Sequence, residues 1–316
     1  MKKTVVVTNY FLNTKMDEVK EKFRVIEAYK SDVLYKVLPE ADAILGGRHH
    51  LSASDLDACE NLKIIAQPTA GFDNIDIPSC TSHGIQVCNS PSLSMEVSDI
   101  ALFHIINAMR KCTYTNELVK RNQWPDRSGT TPLGNEINHK KLFVIGYGNI
   151  GKLIAKKARV LGLDLYGYSR HFTQDDVQHG YTVHAIGLEE GLKIADIVVL
   201  ALPLTKETHH LINAKTLALM KKSATIVNIA RGGIIDTEAL IEALQTGVIS
   251  AASLDVIEGE PLASDAPAMM VDNLYLTPHI GSSTVQTRER MGDEAIDNLL
   301  CFFEGKALTH PVNTMK

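Results

Sequence analysis

The run Gly146-Tyr147-Gly148-Asn149-Ile150-Gly151 constrains this chain more than any other stretch, because of what flanks it. Leu142 to Ile145 before it is a short apolar run of strand formers, and Lys152 to Val160 after it has helical spacing. A lone G-x-G-x-x-G carries little weight, but between a strand and a helix it reads as a dinucleotide-binding turn. Gly146 permits the tight turn, Gly148 admits a pyrophosphate to the backbone, and Gly151 lets helix and strand pack closely. The helix start at Asn149 and Ile150 then offers unpaired N–H groups and a positive dipole end to the anion. A glycine turn without a ligand is the competing reading of the motif taken alone.

What lies on either side of this turn predicts an α/β chain. Val5–Val7, Ala43–Leu45, Lys63–Ala66 and Ile85–Val87 read as strands, with helical spacing over Met16–Phe23 and Ser54–Cys59. Ser94 to Lys111 is a long helical pattern, with Met95, Ile100, Leu102, Phe103, Ile106 and Met109 as its apolar residues. A second series of strands is expected at Leu142–Ile145, Leu165–Tyr168, Ile197–Ala201, Thr225–Ile229, Ala251–Leu254 and Leu274–Leu276. Helices fill most gaps between them, including Thr237–Gln245 with Asp236 as N-cap and Gly247 past its end. Strands alternating with helices argue for parallel sheets, and 316 residues suit two domains. Ser283 to Glu304 is a last long helix, able to carry the chain back to its first part.

Composition narrows the function classes. A net charge of −5 with scattered Lys and Arg is not the basic footprint of a nucleic-acid binder. The longest apolar runs fall short of the ~18 residues that span a bilayer. The opening Met1 to Val7 stops too soon for a signal-peptide core and reads as a first buried strand. Five cysteines without C-x-x-C or metal-ligand spacing imply a reducing compartment, hence a cytoplasmic protein. His49-His50 and His209-His210 have no third ligand at useful spacing and read as surface or turn histidines, so no metal is expected.

Dinucleotide folds place an acidic residue about 20 positions past the glycines to hold the ribose hydroxyls of NAD. Here the second strand ends at Tyr168 and runs into Ser169-Arg170-His171, with no carboxylate in that position. A hydroxyl and a guanidinium suit a 2′-phosphate instead. NADP(H) is therefore expected over NAD(H), which is still admitted.

Bringing a nicotinamide to a carbonyl needs a cation for a substrate carboxylate and an acid for the new alkoxide. Three late segments supply these types just past strand ends, where open α/β sheets bind ligands. They are Asn228-Ile229-Ala230-Arg231-Gly232-Gly233, Asp255-Val256-Ile257-Glu258-Gly259-Glu260-Pro261 and Thr277-Pro278-His279-Ile280-Gly281. Arg231 can grip a carboxylate in bidentate fashion. His279 has the chemistry of a general acid, and a neighbouring Glu260 carboxylate would tune it by favouring the charged ring.

These segments, with Gly71-Phe72-Asp73-Asn74-Ile75-Asp76, the glycine turn and Leu202-Pro203-Leu204-Thr205-Lys206-Glu207-Thr208, stand in the order seen in a known family. The chain resembles the D-isomer-specific 2-hydroxyacid dehydrogenases over nearly its whole length. Glu96-Val97-Ser98-Asp99 and Ser169-Arg170 look more like the glyoxylate/hydroxypyruvate reductase branch than the phosphoglycerate branch.

The resemblance implies a catalytic set of Arg231, Glu260 and His279. It implies cofactor contacts from Pro203, Thr208, Ala230 and Gly281, with Asp255 at the nicotinamide end. It implies substrate contacts from Arg231, His279 and the backbone at Ala70-Gly71. Two Rossmann-like, doubly wound parallel-sheet domains with a cleft between them are expected: 1–95 plus 285–316 for substrate, and 96–284 for dinucleotide. The expected assembly is a homodimer, acting on a small 2-oxo or 2-hydroxy acid without nucleic acid or membrane.

Ala201 departs from the histidine that many members carry. Trp124 either packs its loop or reaches a partner subunit, and Arg48 is a candidate anion-binding cation. A nucleotide-sensing corepressor-like protein, and phosphoglycerate- or phosphite-type dehydrogenases, are the rival readings.

Overall fold

A computed structural model describes residues 2–12, 15–47, 49–91, 94–124 and 132–314. The chain divides into two compact units, Met1–Leu93 with Ser282–Lys316, and Ser94–Gly281.

The first unit opens with β1 (Thr4–Val7), α1 (Lys15–Lys22), β2 (Arg24–Glu27), α2 (Ser31–Val37), β3 (Ala43–Leu45), α3 (Ala53–Asp57), β4 (Ile64–Ala66), α4 (Ile77–Ser82) and β5 (Gln86–Cys88). Its five strands run parallel in the order β2-β1-β3-β4-β5. The interior strands are buried on both faces, which is why Thr-Val-Val-Val and Ile-Ile-Ala read as continuous rather than alternating apolar runs. The sequence pattern does not announce β2: Arg-Val-Ile-Glu sits at the sheet edge with no fully buried residue, so it lacks an apolar signal.

The second unit holds α5 (Ser94–Arg110), α6 (Cys112–Lys120), β6 (Lys141–Ile145), α7 (Asn149–Ala158), β7 (Asp164–Tyr168), β8 (Asp176–Gln178), β9 (Tyr181–Ala185), α8 (Leu188–Ile194), β10 (Ile197–Leu200), α9 (Ala214–Leu217), β11 (Thr225–Asn228), α10 (Thr237–Gln245), β12 (Ala251–Leu254) and β13 (Leu274–Leu276). Its sheet order is β13-β12-β11-β10-β6-β7-β9-β8, parallel except for β8. Sequence spacing points to six of these eight strands; the β8–β9 hairpin adds an edge where only Val183 is fully buried. The chain leaves β6 in one direction to β7 and returns to β6's other side as β10. That reversal is the switch point where such sheets bind ligands.

The last helix, α11 (Val285–Phe303), belongs to the first unit, where Ala295, Ile296, Leu299 and Leu300 pack with Val5, Leu45 and Ile64. Thr284 caps it through the Thr287 N–H. Among the described residues, no helix is long and apolar enough to cross a membrane. Burial pushes the Cys80 and Cys88 thiols up to about 12, as expected of packed, unreactive cysteines.

Candidate active site

Three glycines of the turn differ in what they permit. Gly146 lies at φ +101°, and a Cβ there would stand 2.2 Å from the carbonyl oxygen of Ala201 across the switch point. A Cβ on Gly151 would stand 2.3 Å from the Gly146 oxygen. Backbone packing alone therefore dictates both. Gly148 is the N-cap of α7, without a side-chain cap, and nothing lies within 4 Å of where its Cβ would be. No neighbour explains that glycine; the close approach of a phosphate would. The N-terminus of α7, with Asn149, Ile150 and Gly151 in its first turn, thus fits a pyrophosphate.

Tyr147, between these glycines, is buried and packs against Phe172 at a tilt of 41°, 4.2 Å between ring centroids. Its hydroxyl donates to Asp176 at 2.8 Å, which ties the turn to the β8 edge. Asp175 is likewise engaged, accepting from Ala185 N–H and pairing with His184. Neither carboxylate stands at the end of β7; Ser169 and exposed Arg170 do. The charge of Arg170 reaches Glu207, whose carboxyl is held below its usual range by the Thr205 hydroxyl, its own N–H, then Arg170 and Lys206.

Arg231, Glu260 and His279 all follow strands of the second sheet, β11, β12 and β13 in turn. Buried Asn228 sets the first loop: its Oδ1 accepts from Ala230 N–H at 3.0 Å and its Nδ2 donates to the Arg231 carbonyl at 2.8 Å. Gly232 then brings this loop against the next, since a Cβ there would lie 2.1 Å from the Ile257 carbonyl carbon and 2.3 Å from Glu258 N. His279 Nδ1 meets Glu260 Oε1 at 2.7 Å. Burial alone would raise the Glu260 carboxyl, but the His279 hydrogen bond and charge, the Ile257 N–H and the Arg231 charge hold it low. Glu260 is therefore ionised at neutral pH and acts as acceptor for the ring. A neutral or charged His279 then carries its Nδ1 proton toward Glu260, leaving Nε2 as the nitrogen for other chemistry.

His279 sits at φ +55°, a conformation that costs a non-glycine residue of order 1–3 kcal/mol and persists only where neighbours impose it. Asp255 imposes it. Its carbonyl accepts from His279 N–H at 2.9 Å. Its buried carboxylate takes Thr277 Oγ1 at 2.5 Å, Ile280 N–H at 2.8 Å and Gly281 N–H at 2.8 Å. Three donors leave one lone pair for a further partner.

Behind this loop lies a residue that sequence reasoning missed. His104, fully buried on α5, touches Thr277 Oγ1 through Nε2 at 3.0 Å and Ser253 Oγ through Nδ1 at 2.7 Å. Asp255 accepts the Thr277 hydroxyl proton, so Thr277 must accept from His104 Nε2–H, and Nδ1 must accept from Ser253. Asn107 Nδ2 completes the chain at 3.4 Å from Ser253 Oγ. Burial lowers the His104 pKa to about 4, against the pull of Asp255, so the neutral ring this ordering requires is the resting form. An apolar helix pattern hid the residue: Met95 and Phe103 are exposed, while the buried face carries Ser98, His104 and Asn107 among Val97, Ala101 and Ile105.

The remaining candidates are less concentrated. Ala70 and Gly71 lie in the first unit, their carbonyls held by Asn89 Nδ2 at 2.7 Å and Thr69 Oγ1 at 2.8 Å. The Thr208 hydroxyl serves its own turn, donating to the Pro203 carbonyl at 2.7 Å and accepting from Thr205 N–H. Trp124 is 76% exposed, and residues 125–131 of its loop lie outside the described residues. Arg48 lies outside the described residues. The expectation that His209 and His210 lack a third ligand is corrected: the fold brings Glu258 to both, because strand ends distant in sequence share one sheet edge.

Comparison with known proteins supplies relatives for this arrangement. Residues 102–281 match the family described as D-isomer specific 2-hydroxyacid dehydrogenase, NAD binding domain. Glyoxylate/hydroxypyruvate reductase B of Escherichia coli K12 is 35% identical over 281 residues, 88% of this chain and 86% of that protein. A solved protein of Thermus thermophilus superimposes with a TM-score of 0.88 at 32% identity, covering 98% of this chain and all of the other. An NADPH-dependent glyoxylate/hydroxypyruvate reductase of Sinorhizobium meliloti, solved with NADP and malonate, gives 0.85 at 26% identity, covering 99% and 97%.

Proposed function

This chain belongs to the D-isomer-specific 2-hydroxyacid dehydrogenases, NAD(P)-dependent oxidoreductases, and on that premise we propose that it reduces a small 2-oxo acid of the glyoxylate/hydroxypyruvate class to the D-2-hydroxy acid. The observation that carries the reading is the 2.7 Å bond between His279 Nδ1 and Glu260 Oε1, with the Arg231 charge bearing on the same carboxylate.

Arg231 binds the substrate carboxylate and polarises the adjacent carbonyl. The nicotinamide of a dinucleotide held at the glycine turn would supply the hydride for the carbonyl carbon. His279 gives its Nε2 proton to the carbonyl oxygen, so the C=O bond becomes CH–OH. Glu260 stabilises the charged ring before transfer and holds its orientation throughout. In the oxidative direction, the neutral ring takes the hydroxyl proton back.

The second unit takes the dinucleotide role and the first the substrate role, through backbone N–H groups at Ala70-Gly71. NADP(H) is the preferred cofactor, supported by Ser169 and Arg170 at the end of β7 and by the engagement of Asp175 and Asp176 elsewhere. Initial rates with NADPH and NADH against glyoxylate, hydroxypyruvate and larger 2-oxo acids test both statements. Turnover fastest with NADPH and the small acids is expected, and Arg170→Ala raises KM for NADPH more than for NADH. No turnover with any 2-oxo acid would favour a nucleotide sensor. A clear preference for NADH would reject the phosphate-binding role of Arg170.

A further inference from the structure

His210 Nε2 lies 3.1 Å from both carboxylate oxygens of Glu258, and His209 Nε2 lies 3.9 Å from Oε1. One ligand atom from each of the three residues falls within 4.8 Å of the others. A tetrahedral zinc ion with bonds near 2.1 Å separates its ligand atoms by about 3.4 Å. The observed 3.1 and 3.9 Å bracket that value, and the partial exposure of the side chains leaves the rings room to reorient toward one ion.

The backbone holds these residues in place from both sides. His210 sits at φ +49°, with its N–H given to the Gly233 carbonyl at 2.9 Å and its own carbonyl accepting from Asn213 Nδ2 at 2.8 Å. The His209 N–H donates to Thr205 at 2.9 Å. Glu258 is fixed against the same turn from the other side, because Gly232 packs its backbone directly on Ile257 and Glu258. The Gly232-Gly233 turn therefore sets both halves of the cluster.

An ion pair with Glu258 would use one histidine. The second ring lies against the first, 3.9 Å between centroids and 27° between planes, with its own Nε2 3.9 Å from the same carboxylate; binding one ion through both nitrogens requires the two rings to swing apart. That redundancy is what a chelate needs and an ion pair does not. We propose that His209, His210 and Glu258 form a binding site for a zinc-class divalent cation. Two imidazoles and one carboxylate suit Zn²⁺, Co²⁺ or Ni²⁺, whereas Mg²⁺ and Ca²⁺ want an all-oxygen shell. The bound ion ties the turn at Thr205–His210 to the loop after β12, which reaches Glu260 two residues beyond Glu258.

The test uses the full chain, stripped with a chelator and titrated with Co²⁺ by absorbance and with Zn²⁺ by calorimetry. One ion per chain is expected, with the visible bands of a nitrogen and oxygen site and no thiolate charge-transfer band. His209→Gln and Glu258→Gln each weaken binding at least about tenfold, while Cys112→Ser, which removes the exposed thiol, leaves it unchanged. His209 is 53% exposed at its side chain, so its replacement does not endanger folding, and a retained melting profile of the metal-free variant checks this. The proposal is overturned by no binding, by binding equal in both variants and the parent, by a thiolate band, or by loss in Cys112→Ser or His279→Ala with retention in His209→Gln.

Discussion

His104 shows how one buried side chain can bear on a reactive loop without reaching it. Its two ring nitrogens, one donating and one accepting, satisfy Thr277 and Ser253 only when the ring is neutral. Its pKa of about 4 in the fold, against 6.5 when unperturbed, makes stability depend on pH. Below about 6.5 the unfolded chain binds a proton that the folded chain refuses until about 4, so stability is full above that window and falls as pH drops through it. The loss approaches roughly 3 kcal/mol. His104→Leu should flatten this acid slope in urea midpoints, while costing about 1–3 kcal/mol at neutral pH for the stranded hydroxyls. A slope unchanged by the substitution would assign the effect to other groups. At the His279–Glu260 pair, the proposed acid role predicts that His279→Ala lowers kcat about 100- to 10,000-fold with dinucleotide binding retained. Glu260→Gln removes the carboxylate that accepts from His279 Nδ1, so kcat should fall about 10- to 100-fold with dinucleotide binding retained. A kcat equal to the parent's would mean that this hydrogen bond does not position the ring.

The βα turn after β6 separates packing from recognition within six residues. Gly146→Ala and Gly151→Ala would drive a methyl into backbone at 2.2 and 2.3 Å, which only a shift of strand or helix relieves. Both should lower the melting temperature sharply, at a cost of about 1–3 kcal/mol or more. Gly148→Ala meets nothing within 4 Å, so its melting temperature should match the parent while KM for the dinucleotide rises. If Gly148→Ala binds dinucleotide normally, the phosphate site lies elsewhere. The strands the sequence pattern fails to show lie at a sheet edge or next to one. β2, β8 and β9 each bury at most one residue completely, and Tyr147 holds the β8–β9 hairpin through Asp176 rather than through any apolar stripe. On α5 Met95 and Phe103 are exposed, while the inner face mixes polar Ser98, His104 and Asn107 with apolar Val97, Ala101, Ile105 and Met109.

At the scale of the molecule, the second unit is one continuous segment with its own eight-stranded sheet and core, whereas the first is assembled from both ends of the chain. A polypeptide of residues 94–281 should therefore fold cooperatively and bind NADPH by itself, as followed by circular dichroism and nucleotide fluorescence. A non-cooperative melt would show that its core needs the other unit. The first unit depends on its late segment. Buried Asn313 accepts from Gln86 Nε2 and Val87 N–H and donates to Thr81 and the Ile85 carbonyl, beside the bridge between Cys88 and Pro311. Only α11 is legible from that segment, because hydrogen bonds from a short tail leave no periodic pattern.

The sequence by itself determined the parallel α/β plan, the dinucleotide turn and the three loops that carry Arg231, Glu260 and His279. Apolar runs, glycine spacing and strand-end chemistry are local properties, written in adjacent residues. Tertiary structure alone decided that His279 and Glu260 share a hydrogen bond, that Asp255 and His104 brace the loop from behind, and that Glu258 joins two histidines 48 and 49 residues earlier. Each of those depends on parallel strands bringing distant segments to one sheet edge, where contacts are set by register rather than by neighbours in the chain.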